Sequence, residues 1–461
     1  MFTPTEQDRE QVAALLGRSI DGDFEVVTRD RTGLPVVIKN APFLKDGTPM
    51  PTLFWLVGKK EREAVSRLES AGQIKLINES FSAEEIAEDH LKYFEERNKL
   101  IPSDYVGPLP EGGVGGTRRG VKCLHAHLAS YLAGQGDRVG RYCAKLLSGE
   151  IDGPVAGIDC GSNSTRLLIL APDGTPLLRK MQITRLGQGV DRSGSLSEEA
   201  VERTLASLVD YRSLMDNFGV VRVRAIATSA VRDAVNARDF LERVSDILDS
   251  QAEILSGIEE GNLAYKGATA DLDGVGEPYL MVDIGGGSTE MVTGNMGKVT
   301  SLTSLNIGCV RITERFLQMT DQEKRKDSIE VLTAVKAARS HIRQLLEETI
   351  REFPLFSKAR SLVAVAGTVS ALARADLKIK THDEQKTHHH VLKKEFVEEM
   401  AKLLPTLSLE ERVTKLYIEE ARADVILGGV LILEQIMDIL EQKEALVSEK
   451  DILDATASSL L

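Results

Sequence analysis

The chain has 461 residues and a formal net charge of −13, enough length for two or three hydrophobic cores. The acidic balance argues against a generic nucleic-acid coat, so a polyanionic ligand would need a local basic groove. The longest apolar stretch, Val425 to Leu433, is broken by glycines and far short of the ~20 residues of a membrane span. No basic-then-apolar leader opens the sequence, and Cys123, Cys143, Cys160 and Cys309 lie far apart, as suits a reducing cytoplasm.

Residues 1–150 read as a separate α+β domain. Leu109 to Gly120 is a Gly-rich basic loop, followed by Cys123-Leu-His125-Ala-His127. If that run is a strand, Cys123, His125 and His127 share one face and could open a metal site, with His90 as a distant fourth ligand. The alternative has all three packed and hydrogen-bonded in a core, and no reaction follows from either. Gly149 to Pro154 reads as a linker.

From Val155 onward strands and helices alternate. Strands are expected at 155–160, 165–171 and 176–185, a helix over 197–218 capped by Ser197, a strand at 221–228, a helix at 234–248, a strand at 252–256 and a helix at 259–271. The opening then repeats, with strands at 279–284, 289–294 and 298–305. Helices at 309–319 and 328–352, a strand at 361–366, and helices at 368–376, 394–404 and 420–441 follow. Ala445 to Ser448 and a short helix to Leu461 close the chain. This order predicts two α/β domains with mixed sheets, at 155–277 and 278–444, with 445–461 a candidate to complete the first.

The repeat is specific. Val155 to Leu170 and Tyr279 to Val292 are each an apolar run, a terminal aspartate (Asp159, Asp283), a Gly/Ser turn and a second apolar run. Each reads as strand, tight turn and returning strand. Glycines let backbone N–H groups converge on an anion, and Ser or Thr hydroxyls add donors. Two such loops facing across a cleft point to a phosphate chain with a divalent metal. The candidates are Gly161, Ser162, Asn163 and Ser164 in the first loop, and Gly285, Gly286, Gly287, Ser288 and Thr289 in the second. Glu290, on the returning strand, could join Asp283 around Mg²⁺, which prefers hard oxygen ligands; Asp159 would face the same metal.

These motifs, with Glu253 to Gly267, Ala227 to Asn236, Thr184 to Arg192, Asn306 to Arg311, Val363 to Thr368 and Arg422 to Gly429, make residues 155–461 resemble the exopolyphosphatase / guanosine-pentaphosphate phosphohydrolase family. The resemblance implies two ribonuclease-H-like domains of the actin and sugar-kinase superfamily around a cleft. It makes Glu260, the second acid of Glu259-Glu260, the catalytic carboxylate, and Asp283 and Glu290 the metal-associated acids. Arg232 would neutralise developing charge, with Arg166, Gly308, Arg311, Gly367 and Thr368 contacting phosphate. At Gly308 a helix begins, and its free N–H groups suit an anion. Gly261 stands where the family often has Ala, and Ala455 where it usually has Gly. Cys309, with no base beside it, reads as a packed side chain, and the internal His388-His-His as a lead into the next helix.

The expected activity is a Mg²⁺-dependent (Mn²⁺ as an alternative) release of terminal orthophosphate from inorganic polyphosphate, or from guanosine pentaphosphate. The family often forms dimers, and its longer members carry further helical domains after this point, so short chains are expected as substrates too. Two competitors are a sugar-type kinase and a non-catalytic polyphosphate or alarmone sensor. Residues 1–150, through Asp46 to Leu56 and Gly113 to His127, resemble an uncharacterised actinobacterial domain family.

Overall fold

The computed structural model describes residues 3–107, 109–274, 276–317, 329–381 and 383–461. Its N-terminal part is a helix, Glu6–Leu16, then an antiparallel sheet of β1 (Gly22–Arg29), β2 (Pro35–Leu44) and β3 (Phe54–Leu56). Helices Lys59–Ser70, Gln73–Ser80, Ala83–Asn98, Leu124–Leu132 and Arg138–Leu146 cover the sheet around Val37, Phe54, Tyr93, Leu124 and Leu128. The core continues into the next domain: Val221 packs within it, and the Tyr131 hydroxyl donates to the Val220 carbonyl at 2.7 Å. Cys123 to His127 is not a strand. Leu124, Leu128 and Leu132 recur at the helical spacing of four and are all buried, so Cys123 becomes the residue before a helix.

The rest consists of two sheets of matching plan, the actin-like arrangement. The first runs β6-β5-β4-β7-β8, from β4 (Val155–Cys160), β5 (Ser164–Leu170), β6 (Pro176–Ile183), β7 (Arg222–Ala227) and β8 (Ala252–Ile254). The second runs β11-β10-β9-β12-β14-β13, from β9 (Tyr279–Ile284), β10 (Thr289–Asn295), β11 (Lys298–Leu305), β12 (Ser361–Val365), β13 (Val391–Lys393) and β14 (Glu444–Val447). In each, a central strand pairs antiparallel with its hairpin partner and parallel with the next strand inward. Every residue of β4 and β9 is buried, as expected of strands covered on both faces.

Several boundaries differ from the periodicity. The segment expected as helix 309–319 is a short helix, Cys309–Ile312, continued by a π-type turn over Thr313–Leu317; positions 318 and 319, like 328 of the next helix, lie outside the described residues. The helix expected from 420 starts at Ile426, after a 3₁₀ turn at Glu420–Arg422. Helix Leu409–Leu416 and the short β13 were not anticipated, although Ser408 to Glu411 forms the capping box that starts that helix. Residues 445–447 belong to the second sheet, while helix Ile452–Ser458 crosses back onto β4, β5 and helix Gly257–Thr269. Gly267 permits that crossing, since a Cβ there would stand 1.9 Å from the Asp451 carbonyl oxygen. Among the described residues no helix is long and apolar enough to cross a membrane.

Candidate active site

The two Gly/Ser hairpins fold alike. Gly161 N–H donates to the Ser164 carbonyl and Gly285 N–H to the Ser288 carbonyl, each at 3.0 Å. Their outer carbonyls are used alike too. Thr184 and Arg185 N–H groups donate to Asn163, and Gly187 to Ser162, in the first half; Cys309 donates to Gly285, and Val310 and Arg311 to Gly286, in the second. The N–H groups expected to be free at the start of helix Cys309–Ile312 are thus spent on the glycine loop. They support the cradle and do not line it. Gly308 is required for this contact: a Cβ would lie 2.3 Å from the Gly286 carbonyl oxygen.

The loops also meet each other. A Cβ on Gly286 would stand 2.8 Å from Ser162 Cβ, and one on Gly287 2.7 Å from Ser229 Oγ. Ser162 and Ser229 hydroxyls lie 2.9 Å apart. Arg311 latches the halves, donating through Nε to the Gly287 carbonyl at 2.8 Å and pairing with Asp191 and Asp233. It acts on the loop from behind. Between the loops lies a pocket of about 80 Å³ that includes Asp159, Gly161, Asn163, Asp283, Gly285, Ser288, Gly367, Thr368 and Glu260. Ala366, at φ 75°, ψ 174°, turns the chain from β12 into helix Gly367–Leu377. Only glycine is at ease there, so the fold holds strain where Gly367 and Thr368 reach the pocket.

Which glutamate enters the cleft is decided by a cap. Ser256 and Glu259 form a capping box at the start of helix Gly257–Thr269, which fixes Glu259 at the surface. The next residue, Glu260, therefore turns inward and is buried. Arg232 donates to the Glu260 carboxylate and to the Leu255 carbonyl, both at 2.9 Å. Arg232 thus reaches the pocket through Glu260. Gly261 has a packing cause: a Cβ would press within 2.9 Å of the Leu302 side chain, so its absence brings the helix down onto the second sheet.

Arg166 and Arg422 line the pocket as cations. Arg166 is bound to Asp159 at 2.5 Å and also to Asp451. Arg422 pairs with Glu419 at 2.9 Å and lies against Gly367, where a Cβ would strike its guanidinium. Arg422 sat in a recognisable motif, but no local spacing signalled that it reaches this pocket or that Asp451 reaches Arg166; each arrives from the far end of the chain. Thr228 and Ser229, in the Ala227 to Asn236 segment, line the pocket as well.

Acids outnumber these cations. Burial, then the Asp451 charge, pushes Asp283 up to about 8. Burial, offset in part by Arg232, lifts Glu260 to about 7. Burial and the charges of Glu260 and Asp283 raise Glu290 well above the ordinary carboxylate range, although Ser304 donates to it at 2.6 Å. Asp159 Oδ1 is buried with no hydrogen-bond partner among the described residues. Asp159 and Asp283 line the pocket, whereas Glu290 does not, and among the described residues these three acids do not converge within 4.8 Å of one another; the orphaned Asp159 oxygen on the pocket that Asp283 also lines is what fits a hard divalent cation such as Mg²⁺.

In the N-terminal domain Cys123, His125, His127 and His90 do not assemble as one metal site. His127 is fully buried, its Nδ1 2.9 Å from Asp137. His90 bonds the Gly120 carbonyl through Nε2 and accepts from Val114 N–H. Cys123 and His125 sit with Glu69 instead. In the C-terminal half His388 and His390 bond Asp271 and Asp376, as befits a structural lead.

Residues 171–452 match the Ppx/GppA phosphatase family, and residues 26–145 match a family of proteins of unknown function, DUF501. Exopolyphosphatase 2 of Mycobacterium tuberculosis is 38% identical over 323 residues, 66% of this chain and 98% of that protein. The bifunctional 3-dehydroquinate synthase/phosphatase of Fusobacterium nucleatum is 32% identical over 311 residues, 65% of this chain and 45% of that one. A crystal structure of the Aquifex aeolicus Ppx/GppA family member superposes with a TM-score of 0.55 at 33% identity, covering 66% of this chain and 96% of that one. An exopolyphosphatase from Cytophaga hutchinsonii, 24% identical, shares the fold with a TM-score of 0.57, over 66% of this chain and 96% of that one. The chain belongs to the Ppx/GppA phosphatase family.

Proposed function

We propose that the protein is a Mg²⁺-dependent exopolyphosphatase that removes terminal orthophosphate from inorganic polyphosphate. One observation carries this: Glu260, buried and held by Arg232, converges with both glycine loops on a single small pocket. With the Gly161 and Gly285 N–H groups closing the two hairpins, the N–H groups at the turn tips, Ser162 to Ser164 and Gly286 to Ser288, bind the terminal phosphate, with Gly367 and Thr368 on the remaining side. Glu260 orients a water and takes its proton as the water oxygen bonds to phosphorus and the bridging oxygen leaves with the shortened chain. Arg232 fixes the carboxylate, and Arg166 and Arg422 offset charge on the phosphoryl oxygens. Asp159, Asp283 and Glu290 would hold Mg²⁺ or Mn²⁺, which neutralises phosphate charge when bound.

A second substrate is favoured by a separate feature. A pocket of about 570 Å³ continues from Ser162 and Asn163, with an apolar wall of Val310, Leu317, Val335 and Leu427 and the acceptors Glu314 and Asp424. Arg185, its nearest cation to the loops, is already paired with Asp424 at 2.9 Å. This lining suits the face and N–H edge of a guanine better than a bare polyanion, and so supports guanosine pentaphosphate hydrolysis at the same loops.

Phosphate release measured side by side on both substrates tests the assignment. Glu260→Gln should cut release about 10²-fold or more while binding changes little; wild-type turnover in that variant would refute the role of Glu260. Binding without any release by the wild-type chain would leave only a sensor. Release without an acceptor alcohol excludes a kinase.

A further inference from the structure

The N-terminal domain holds a second group of metal-ligating side chains, remote in sequence from the cleft. Glu69 ends helix Lys59–Ser70, Cys123 precedes helix Leu124–Leu132, and His125 lies in that helix's first turn. One donor atom from each lies within 4.8 Å of the other two, and all three residues are half-buried. His125 Nδ1 is 3.2 Å from Glu69 Oε1, and His125 is hydrogen-bonded to Cys123.

The orientation of His125 is set from outside the group. Its Nε2 lies 3.2 Å from both the Arg62 carbonyl and the Ser66 hydroxyl. A carbonyl oxygen can only accept, so Nε2 carries the hydrogen. Nδ1 is then left facing a carboxylate and a sulfur, two further electron-pair donors. Such a convergence needs a cation at its centre, either a proton or a metal. A histidine that donates one ring N–H to a backbone carbonyl while offering the other nitrogen is the usual support for a metal ligand. Glu69 is braced likewise, accepting the Leu124 N–H at 2.6 Å.

We propose that Glu69, Cys123 and His125 form a zinc-type metal site. Thiolate, imidazole and carboxylate are the borderline set that Zn²⁺ prefers, and a tetrahedral ion would hold these donors roughly 3.3–3.8 Å apart. The Nδ1 to Oε1 separation of 3.2 Å is already close to that range, and the separations to sulfur start from within 4.8 Å. Three protein ligands leave one coordination position for water or a small ligand. The ion would tie the end of one helix to the start of another and anchor the Gly-rich basic loop that runs into Cys123. The other histidine cluster differs in this respect. Asp271, beside His388 and His389, already has a cation, the Lys450 ammonium at 2.9 Å.

Metal analysis and cobalt substitution of the full chain test the site. Desalted wild-type protein should retain about one zinc per chain. After exchange into Co²⁺ it should show a thiolate-to-cobalt charge-transfer band in the near ultraviolet. Cys123→Ser should lose the band, His125→Gln should weaken metal affinity about tenfold or more, and both should keep polyphosphate hydrolysis. Cys309→Ser should keep the band, which separates this site from the cleft thiol. Absence of retained metal and of the band in wild type, or a band that persists in Cys123→Ser, would overturn the proposal. So would rapid alkylation of Cys123 that added Zn²⁺ does not slow, since the central cation would then be a proton.

Discussion

The two glycine hairpins have the same backbone and opposite electrostatics. On β5 the residue directly across from Asp159 is Arg166; on β10 the residue directly across from Asp283 is Glu290. The first aspartate is neutralised within its own hairpin, and Arg166 binds Asp451 as well. The second faces another buried acid. The two hairpins therefore differ in charge at a single cross-strand position. One half carries a counter-charge on its own returning strand, and the other does not. A symmetric pair of arginines would bind phosphate without recruiting metal, and a symmetric pair of acids would repel it.

Breaking the neutralised side should have the largest effect. Arg166→Ala leaves Asp159 and Asp451 as uncompensated buried charges, and should cost about 3–5 kcal/mol in urea unfolding. If stability is unchanged, Arg166 is not the internal counter-charge. Next comes the geometry that both halves share. Gly308→Ala places a methyl against the Gly286 carbonyl and displaces the second loop, so kcat/KM should fall about 10²-fold and the overpacking should cost about 1–3 kcal/mol in urea unfolding.

The acidic side should show itself through pH. Asp283 titrates near 8 in the fold and near the ordinary ~3.9 when unfolded. Its protonated form therefore favours the fold fully below pH ~4, and that contribution is lost as pH rises toward 8. Melting temperatures of chelator-treated protein should fall across this range, and added Mg²⁺ should raise them more at pH 8 than at pH 5. An equal rise at both would remove the metal from this side. Glu290→Gln should have the smallest effect on stability, about 1 kcal/mol of stabilisation at pH 8 without metal, and should abolish the Mg²⁺-dependent rise.

Much of the cleft was legible because its parts are local. A strand, a tight turn and a returning strand need only a run of apolar residues and glycines, so both hairpins and their aspartates could be read directly. The choice of Glu260 over Glu259 came from resemblance; the structure supplies its cause in the Ser256 capping box. Cys123 to His127 misled because period two and period four overlap in a five-residue run, and burial of Leu124, Leu128 and Leu132 decides for the helix. The N–H groups of Cys309 to Arg311 could not be assigned in advance, since their acceptors, Gly285 and Gly286, lie more than 20 residues away.

Local pattern alone fixed the paired hairpins β4–β5–β6 and β9–β10–β11, their Gly/Ser turns and the acids at their strand tips. These depend on contacts between near neighbours in the chain. Tertiary structure alone brought Asp451 to Arg166, Arg422 to Gly367 and Glu69 to Cys123 and His125, and it determined which arginine neutralises a carboxylate and which supports a loop. Those outcomes depend on which segments exclude water together, and a charge acquires its role only once its burial and its neighbours are set.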